Sequence, residues 1–198
     1  MRVLLILAAM AFFGFLNCVR ADKPAPPLSH KTVSANGKYV FVMISPLPKL
    51  DASVAESKAI RAKYAKSGLY KNDGSVEPLW TVDWYRYKVD VASDGEHVVR
   101  HGNWPEREGG FENPSVSKEE LKQEAVSFFA KGKLLRQYSI VELIDEPKNL
   151  KVSVSHFEWR KNSQYSDDKR QFEVVTQDGN RILFDVTTAK IIEKKKAD

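Results

Sequence analysis

Apolar and polar positions alternate in short runs from residue 31 to residue 192, and tight turns interrupt them. Val33-Ser34-Ala35 leads into Asn36-Gly37 and on to Tyr39-Val40-Phe41-Val42. The same arrangement surrounds Asp94-Gly95, Lys131-Gly132 and Asp178-Gly179, and a weaker one surrounds Asn72-Asp73-Gly74. Glycine takes a positive φ at little cost and Asn or Asp tolerates it, so these turns predict β-hairpins. Over 81–91, Tyr85, Tyr87, Val89 and Val91 fall on one side and Arg86, Lys88 and Asp90 on the other. That period of two predicts one half-buried antiparallel strand. Runs over 151–159, 171–176 and 181–186 predict further strands, and 184–192 reads as strand, short turn and strand.

Helical signals are sparse. Ser53 and Glu56, and again Ser117 and Glu120, have the spacing of a reciprocal N-terminal cap. The first pair predicts a surface helix over 54–65, with Val54, Ile60 and Tyr64 as its apolar positions. The second predicts a short helix over 118–123 that runs into a strand through Phe128-Phe129, and 139–144 has room for one more turn before Pro147. The expected fold is mainly β: an antiparallel meander of hairpins, propeller-like or sandwich-like, with one or two short surface helices. At ~40–45 residues per blade the chain holds at most about four blades.

The first residues change the picture of where this domain works. Met1-Arg2 precedes an uncharged apolar run over 3–16, and Val19-Arg20-Ala21 follows. These are the three regions of a secretory signal, with cleavage expected after Ala21 and a mature chain starting at Asp22. An uncleaved anchor would need roughly 20 apolar residues, and Leu16-Asn17 before Cys18 is a poor lipoprotein signal. Cys18 is the only cysteine and leaves with the signal, so no disulfide is expected. Asn113-Pro114-Ser115 is barred from glycosylation by its proline. Together these features point to a bacterial protein, periplasmic or extracellular. The divisions expected are a signal peptide over 1–21, an extended, mobile Pro-rich spacer over 22–30, a single β-rich domain over 31–192 and a frayed basic tail over 193–198. No second apolar stretch reaches membrane-spanning length, so no transmembrane segment is expected in the mature chain.

The net charge of +5 comes from the ends. Arg2 and Arg20 belong to the signal and Lys194-Lys195-Lys196 to the tail, which leaves the body near neutral. No basic stripe interleaved with aromatics marks a nucleic-acid surface, and none is expected to bind there.

Some longer runs are distinctive: Ser67-Gly68-Leu69-Tyr70-Lys71-Asn72-Asp73-Gly74-Ser75, Pro78-Leu79-Trp80-Thr81-Val82-Asp83-Trp84, and Phe128-Phe129-Ala130-Lys131-Gly132-Lys133-Leu134-Leu135-Arg136. With Ser93-Asp94-Gly95 and the stretch from Ser153 to Trp159, the chain over 31–192 resembles an uncharacterised family of small exported bacterial proteins with propeller-blade-like β-hairpins. The resemblance implies an exported β-rich fold and carries over no activity and no catalytic residue.

Candidate chemistry is thin. His97 and His101 lie four apart on a strand, about 13 Å from each other, too far to share a metal. His156 and Glu158 fall on one strand face and could ligate zinc together or act as acid and base. A third group would have to come from His97, His101 or Asp83. His30 adjoins the spacer. Ser115-Val116-Ser117-Lys118 has the spacing of a serine acyl-enzyme, but its partner motifs are missing and Ser117 serves as a helix cap. Ser166-Asp167-Asp168 reads as a polar loop rather than a calcium site. Trp80, Trp84, Trp104 and Trp159 either fill the core or offer stacking surfaces to a sugar or protein. The sequence thus favours an exported, non-catalytic binding or scaffold protein without metal or cofactor, its partner an envelope protein or glycan. The alternative is an envelope hydrolase using His156 and Glu158.

Overall fold

The computed structural model describes residues 24–108 and 115–197, so the expected signal peptide and Cys18 lie outside the described residues. Strand accounts for 42% and helix for 14%, which makes the fold mainly β. Three four-stranded antiparallel sheets follow one another, and in each the strand order is the chain order. The first comprises β1 (His30–Val33), β2 (Tyr39–Met43), β3 (Gly68–Lys71) and β4 (Pro78–Thr81). The second comprises β5 (Val89–Val91), β6 (His97–His101), β7 (Glu124–Ala130) and β8 (Lys133–Ser139). A two-stranded hairpin, β9 (Lys151–Val152) and β10 (Phe157–Glu158), precedes the third sheet. That sheet comprises β11 (Arg160–Ser166), β12 (Gln171–Thr176), β13 (Asn180–Asp185) and β14 (Lys190–Lys196). The five turn glycines named above each take a positive φ between paired strands.

Strands β6 and β7 of the second sheet are buried on both faces, and their sequence shows how. Side chains alternate across a strand. Val98 and Phe129 therefore face a core with Phe41, Met43 and Leu69 of the first sheet. Their neighbours Val99 and Phe128 face a core with Phe172, Val174, Ile182 and Phe184 of the third. Each fully buried side chain of this size contributes about 1.5–3 kcal/mol relative to exposure. The first sheet turns its other face, through Val40, Val42 and Tyr70, to Ile60 and Tyr64 at helix α2 (Ala55–Lys63). The third sheet ends the stack with a polar face: Gln171, Glu173 and Arg181 alternate with its core residues and are half-buried. Among the described residues no helix is long and apolar enough to cross a membrane.

Three successive first hairpins are tied together along one edge. Asn36 of the β1–β2 turn donates from its backbone and side chain to Ser93 of the β5–β6 turn, at 3.1 and 3.0 Å. The Ser93 amide donates in turn to Asp167 of the β11–β12 turn at 2.8 Å.

Several expectations are corrected. The strand expected over 81–91 breaks: β4 ends at Thr81 and β5 starts at Val89. The chain between them passes from the first sheet to the second, where Tyr85 packs against the core they share while Tyr87 is exposed. The run over 151–159 also breaks, because Ser153 and His156 close a turn, with the Ser153 amide donating to the His156 carbonyl at 2.8 Å. Ser53 does not cap α2. Val54 occupies that position, and the Ser53 hydroxyl donates to Leu50. Its attraction is explained by a helix the pattern missed, α1 (Pro48–Asp51), whose first residue is a proline. Ser117 and Glu120 do cap each other, but around a single 3-10 turn, Glu120–Lys122. The expected turn over 139–144 is α3 (Ile140–Leu143), capped reciprocally by Ser139 and Glu142.

Both termini of the described chain are held. The end of the spacer is anchored through buried Ser29, whose amide and hydroxyl donate to Asp51 at 2.8 and 2.6 Å. The C-terminal lysines end an edge strand rather than forming a frayed tail. β14 stays paired with β13 to Lys196, with a register shift between Leu183 and Phe184, and Lys194 pairs with Asp145 at 2.7 Å.

Candidate functional site

A groove of about 480 Å³ opens where the second sheet, the β9–β10 hairpin and the start of the third sheet meet. Residues 102–105, which leave β6, form one wall. Lys151 and residues 156–161 form the other, with Gln177 from the β12–β13 turn at one end. The walls are tied by backbone pairing: Glu106 bridges His156, and the Arg107 amide donates to Ser155 at 3.0 Å. The Arg107 guanidinium donates to the Ser153 carbonyl at 2.5 Å and pins the hairpin turn.

Trp104 lies over the His156 ring, centroid to centroid 4.0 Å, with a tilt of 35°. His156 is buried, and its Nδ1 shares a hydrogen bond with the Ser153 hydroxyl. Glu158 is exposed, and its Oε2 accepts from Gln177 at 3.2 Å. His156 and Glu158 both line the groove, although His156 closes the hairpin turn and only Glu158 lies within β10. His97, His101 and Asp83 are not among the lining residues, and among the described residues no three His, Cys, Asp or Glu gather as a metal site.

The four tryptophans divide. Trp80 and Trp84 pack against the core between the first and second sheets, in contact with Phe41 at 5.6 and 5.9 Å. Trp159 belongs to the second core at 5% exposure, with only an edge on the groove. Trp104 is half-buried and lines the groove directly.

A buried relay that spacing arguments overlooked runs behind this groove. His101 is 2% exposed. Its Nε2 donates to Asp90 Oδ2 at 2.7 Å, and its Nδ1 accepts from Arg160 Nη1 at 2.7 Å. Burial lowers the His101 pKa from 6.5, with Arg160 acting in the same sense and Asp90 opposing it. The ring is therefore a neutral connector between the second and third sheets. The Asp94-Gly95 hairpin contains the signal that could have found it. Its register pairs Asp90 with Val99, which puts His101 diagonally beside Asp90 on the same face.

On the opposite face of the second sheet Glu124 gathers three donors. It accepts from Arg86 at 2.6 Å, from Arg100 at 2.8 Å and from Ser127 at 2.5 Å. Burial raises its pKa, but these hydrogen bonds and the two guanidinium charges outweigh burial and hold it below 4.5. Arg100 also lies over the Trp84 and Phe129 rings at 4.9 and 4.8 Å. His97 is paired with Asp94 at 2.7 Å, and Asp167 accepts from Ser93 and Tyr165. These groups hold hairpins together.

Comparison with protein-family models and with curated proteins finds no match to this chain.

Proposed function

We propose that the protein is an exported, non-catalytic binding module whose ligand site is the groove beside Trp104. The observation that carries this reading is the placement of one half-buried tryptophan, held on His156, in a groove lined with hydrogen-bonding and cationic side chains. A rigid aromatic with a polar surround suits recognition by stacking and burial. The groups a hydrolase would need are engaged otherwise: His156 holds its hairpin through Ser153 and supports Trp104, and Glu158 is bound by Gln177. Export rests on the signal-like residues 1–21. The three meanders in chain order, with their first hairpins laced through Asn36, Ser93 and Asp167, support a propeller-like arrangement of consecutive blades, as in the exported family the sequence resembles.

A retention experiment tests the binding reading. Mature protein, immobilised, is exposed to cell-envelope extract beside a Trp104→Ala variant. Retention of a component by the wild type and its loss in the variant is the expected result. Equal retention by both overturns the site, and turnover of a retained component that Glu158→Gln abolishes puts the hydrolase first. N-terminal sequencing of the recovered protein should begin at Asp22.

A further inference from the structure

The ion pairs of this molecule are distributed unevenly, and the groove holds cations that stand outside them among the described residues. Arg61, Arg86, Arg100, Arg136 and Arg181 each pair with a carboxylate. Among the described residues Arg160 pairs with no carboxylate: its hydrogen bond runs to the neutral His101 ring, and its guanidinium lies over Trp159 at 5.3 Å. It is half-buried, and burial pulls its pKa down from 12.5 while Asp90, reached only through the imidazole, opposes that. A guanidinium stays charged under such conditions, and a cation held out of bulk water gains from an anion it can reach. Lys151 and Lys161 line the same groove, both exposed and neither in an ion pair among the described residues. Against these three cations the groove sets one carboxylate, Glu158, which is held by Gln177.

We propose that this groove binds an acidic glycan, a saccharide bearing carboxylate or sulfate groups, with Trp104 stacking on a sugar ring and Arg160, Lys151 and Lys161 receiving the anionic group. This deepens the binding reading above and rests on it. The apolar face of a pyranose matches an indole, and the groove's volume falls within the range of about 300–1,000 Å³ typical of small-ligand clefts. Arginine presents a planar fork suited to a carboxylate or sulfate, and the His101 contact fixes its orientation beforehand. Gln177 and Asn103 supply amides at the groove for hydroxyl groups.

The test is titration calorimetry of the mature protein with a uronic-acid oligosaccharide. The same oligosaccharide with its carboxyls reduced to alcohols, and a single-stranded oligonucleotide of equal charge, are titrated beside it. The acidic sugar should bind, weaken as salt is raised, and weaken at least tenfold when its carboxyls are reduced. The double variant Lys151→Gln, Lys161→Gln should lose at least tenfold in affinity. It should unfold at the wild-type temperature, because both lysines are exposed. Equal binding of the acidic and reduced sugars overturns the role of charge. Tighter binding of the oligonucleotide than of the acidic sugar overturns the glycan class. Absence of acidic-sugar binding in a protein that still retains an extract component through Trp104 overturns the ligand class and leaves the binding module standing. Loss of the Trp104-dependent retention removes both.

Discussion

The Arg160 guanidinium donates to Nδ1 of His101 across 2.7 Å, which fixes the imidazole as an acceptor on that side. Arginine has no acceptor to offer, so the ring proton must sit on Nε2, where Asp90 receives it at 2.7 Å. Protonating His101 would point an N–H at a guanidinium. The folded pKa accordingly lies below 6.5, with burial the largest cause and Asp90 opposing. Between that lowered value and 6.5 the unfolded chain binds more protons than the folded one, so stability rises with pH across this window. The contribution is complete above the unfolded value and is lost as pH falls below it. Urea unfolding of the wild type between about pH 5 and pH 8 should show this slope. His101→Gln should flatten it, and identical slopes in both proteins would remove His101 as its source.

Glu124 produces a second acid sensitivity at lower pH. Its folded pKa is held below 4.5, so its contribution is present above that value and is lost as pH falls through the folded pKa. Removing the charge strands Arg86 and Arg100, whose side chains are 20% and 9% exposed. Breaking a largely buried pair while leaving its cations costs about 3 kcal/mol. Glu124→Gln should lower the urea midpoint by an amount corresponding to that loss. Replacing Arg100 by Met in the same variant should recover part of it, because one stranded charge is gone.

Two hairpin glycines separate backbone strain from crowding. Gly37 and Gly95 have similar positive φ, +70° and +77°. A Cβ at Gly37 would meet nothing within 4 Å, whereas one at Gly95 would meet the Tyr39 ring at 2.6 Å. Gly37→Ala should therefore cost only the left-handed conformation, about 1–2 kcal/mol. Gly95→Ala should cost more, since Tyr39 is packed against the core and must shift. Thermal unfolding of the two variants gives the comparison directly, and equal losses would show that Tyr39 yields freely.

What could be read from the chain follows from the range of each interaction. Turn chemistry is local, so the Asn-Gly, Asp-Gly and Lys-Gly pairs placed five hairpins correctly. Strand period is local too, but it does not by itself fix hydrogen bonding. Tyr85 and Tyr87 alternate with Arg86 although the chain there forms no strand. The double-sided burial of β6 and β7 is visible in the unbroken apolar pairs Val98-Val99 and Phe128-Phe129, once they are taken as facing two cores. The groove joins residues from 102 to 177, and spacing alone connects residues within 102–105 or within 156–161 but not the two runs to each other. Trp104 could not be told from Trp80 or Trp84 by composition, because what distinguishes it is its tertiary place on the groove wall against His156.

The lysines of β14 carry a prediction about solubility. As the last strand of the third sheet, β14 presents unpaired backbone groups along its outer edge, a template for pairing with another chain. Lys190, Lys194, Lys195 and Lys196 place charged side chains along that edge, Lys194 and Lys196 sharing Asp145 and Lys195 pairing with Glu193. Lys194→Val with Lys196→Val should raise strand propensity while removing that charge. Light scattering at rising protein concentration should then show association that the wild type lacks, and a monodisperse variant would show that the edge is protected by other means.

Asp51 is the anchor on which the start of the described chain depends. Its carboxylate has no exposure and accepts from the Ser29 amide and hydroxyl and from Arg61 Nε at 2.5 Å. The Ser29 hydroxyl passes the connection on by accepting from the Ser45 amide at 2.9 Å, and the Ser29 carbonyl accepts from Ser57 at the start of α2 at 2.9 Å. One carboxylate thus joins the Pro-rich segment, helix α1, helix α2 and the loop after β2. Asp51→Ala leaves the Ser29 amide and Arg61 Nε without their acceptor, while Arg61 Nη2 keeps the Ser45 carbonyl, and a buried unsatisfied donor costs about 1–3 kcal/mol. The loss should be local first, because β1 stays paired with β2 from His30 onward. Hydrogen exchange should quicken at Ser29 and Ser45 in the variant while the amides of β6 and β7 keep their protection. Uniform quickening across all three sheets would show instead that Asp51 supports the whole stack.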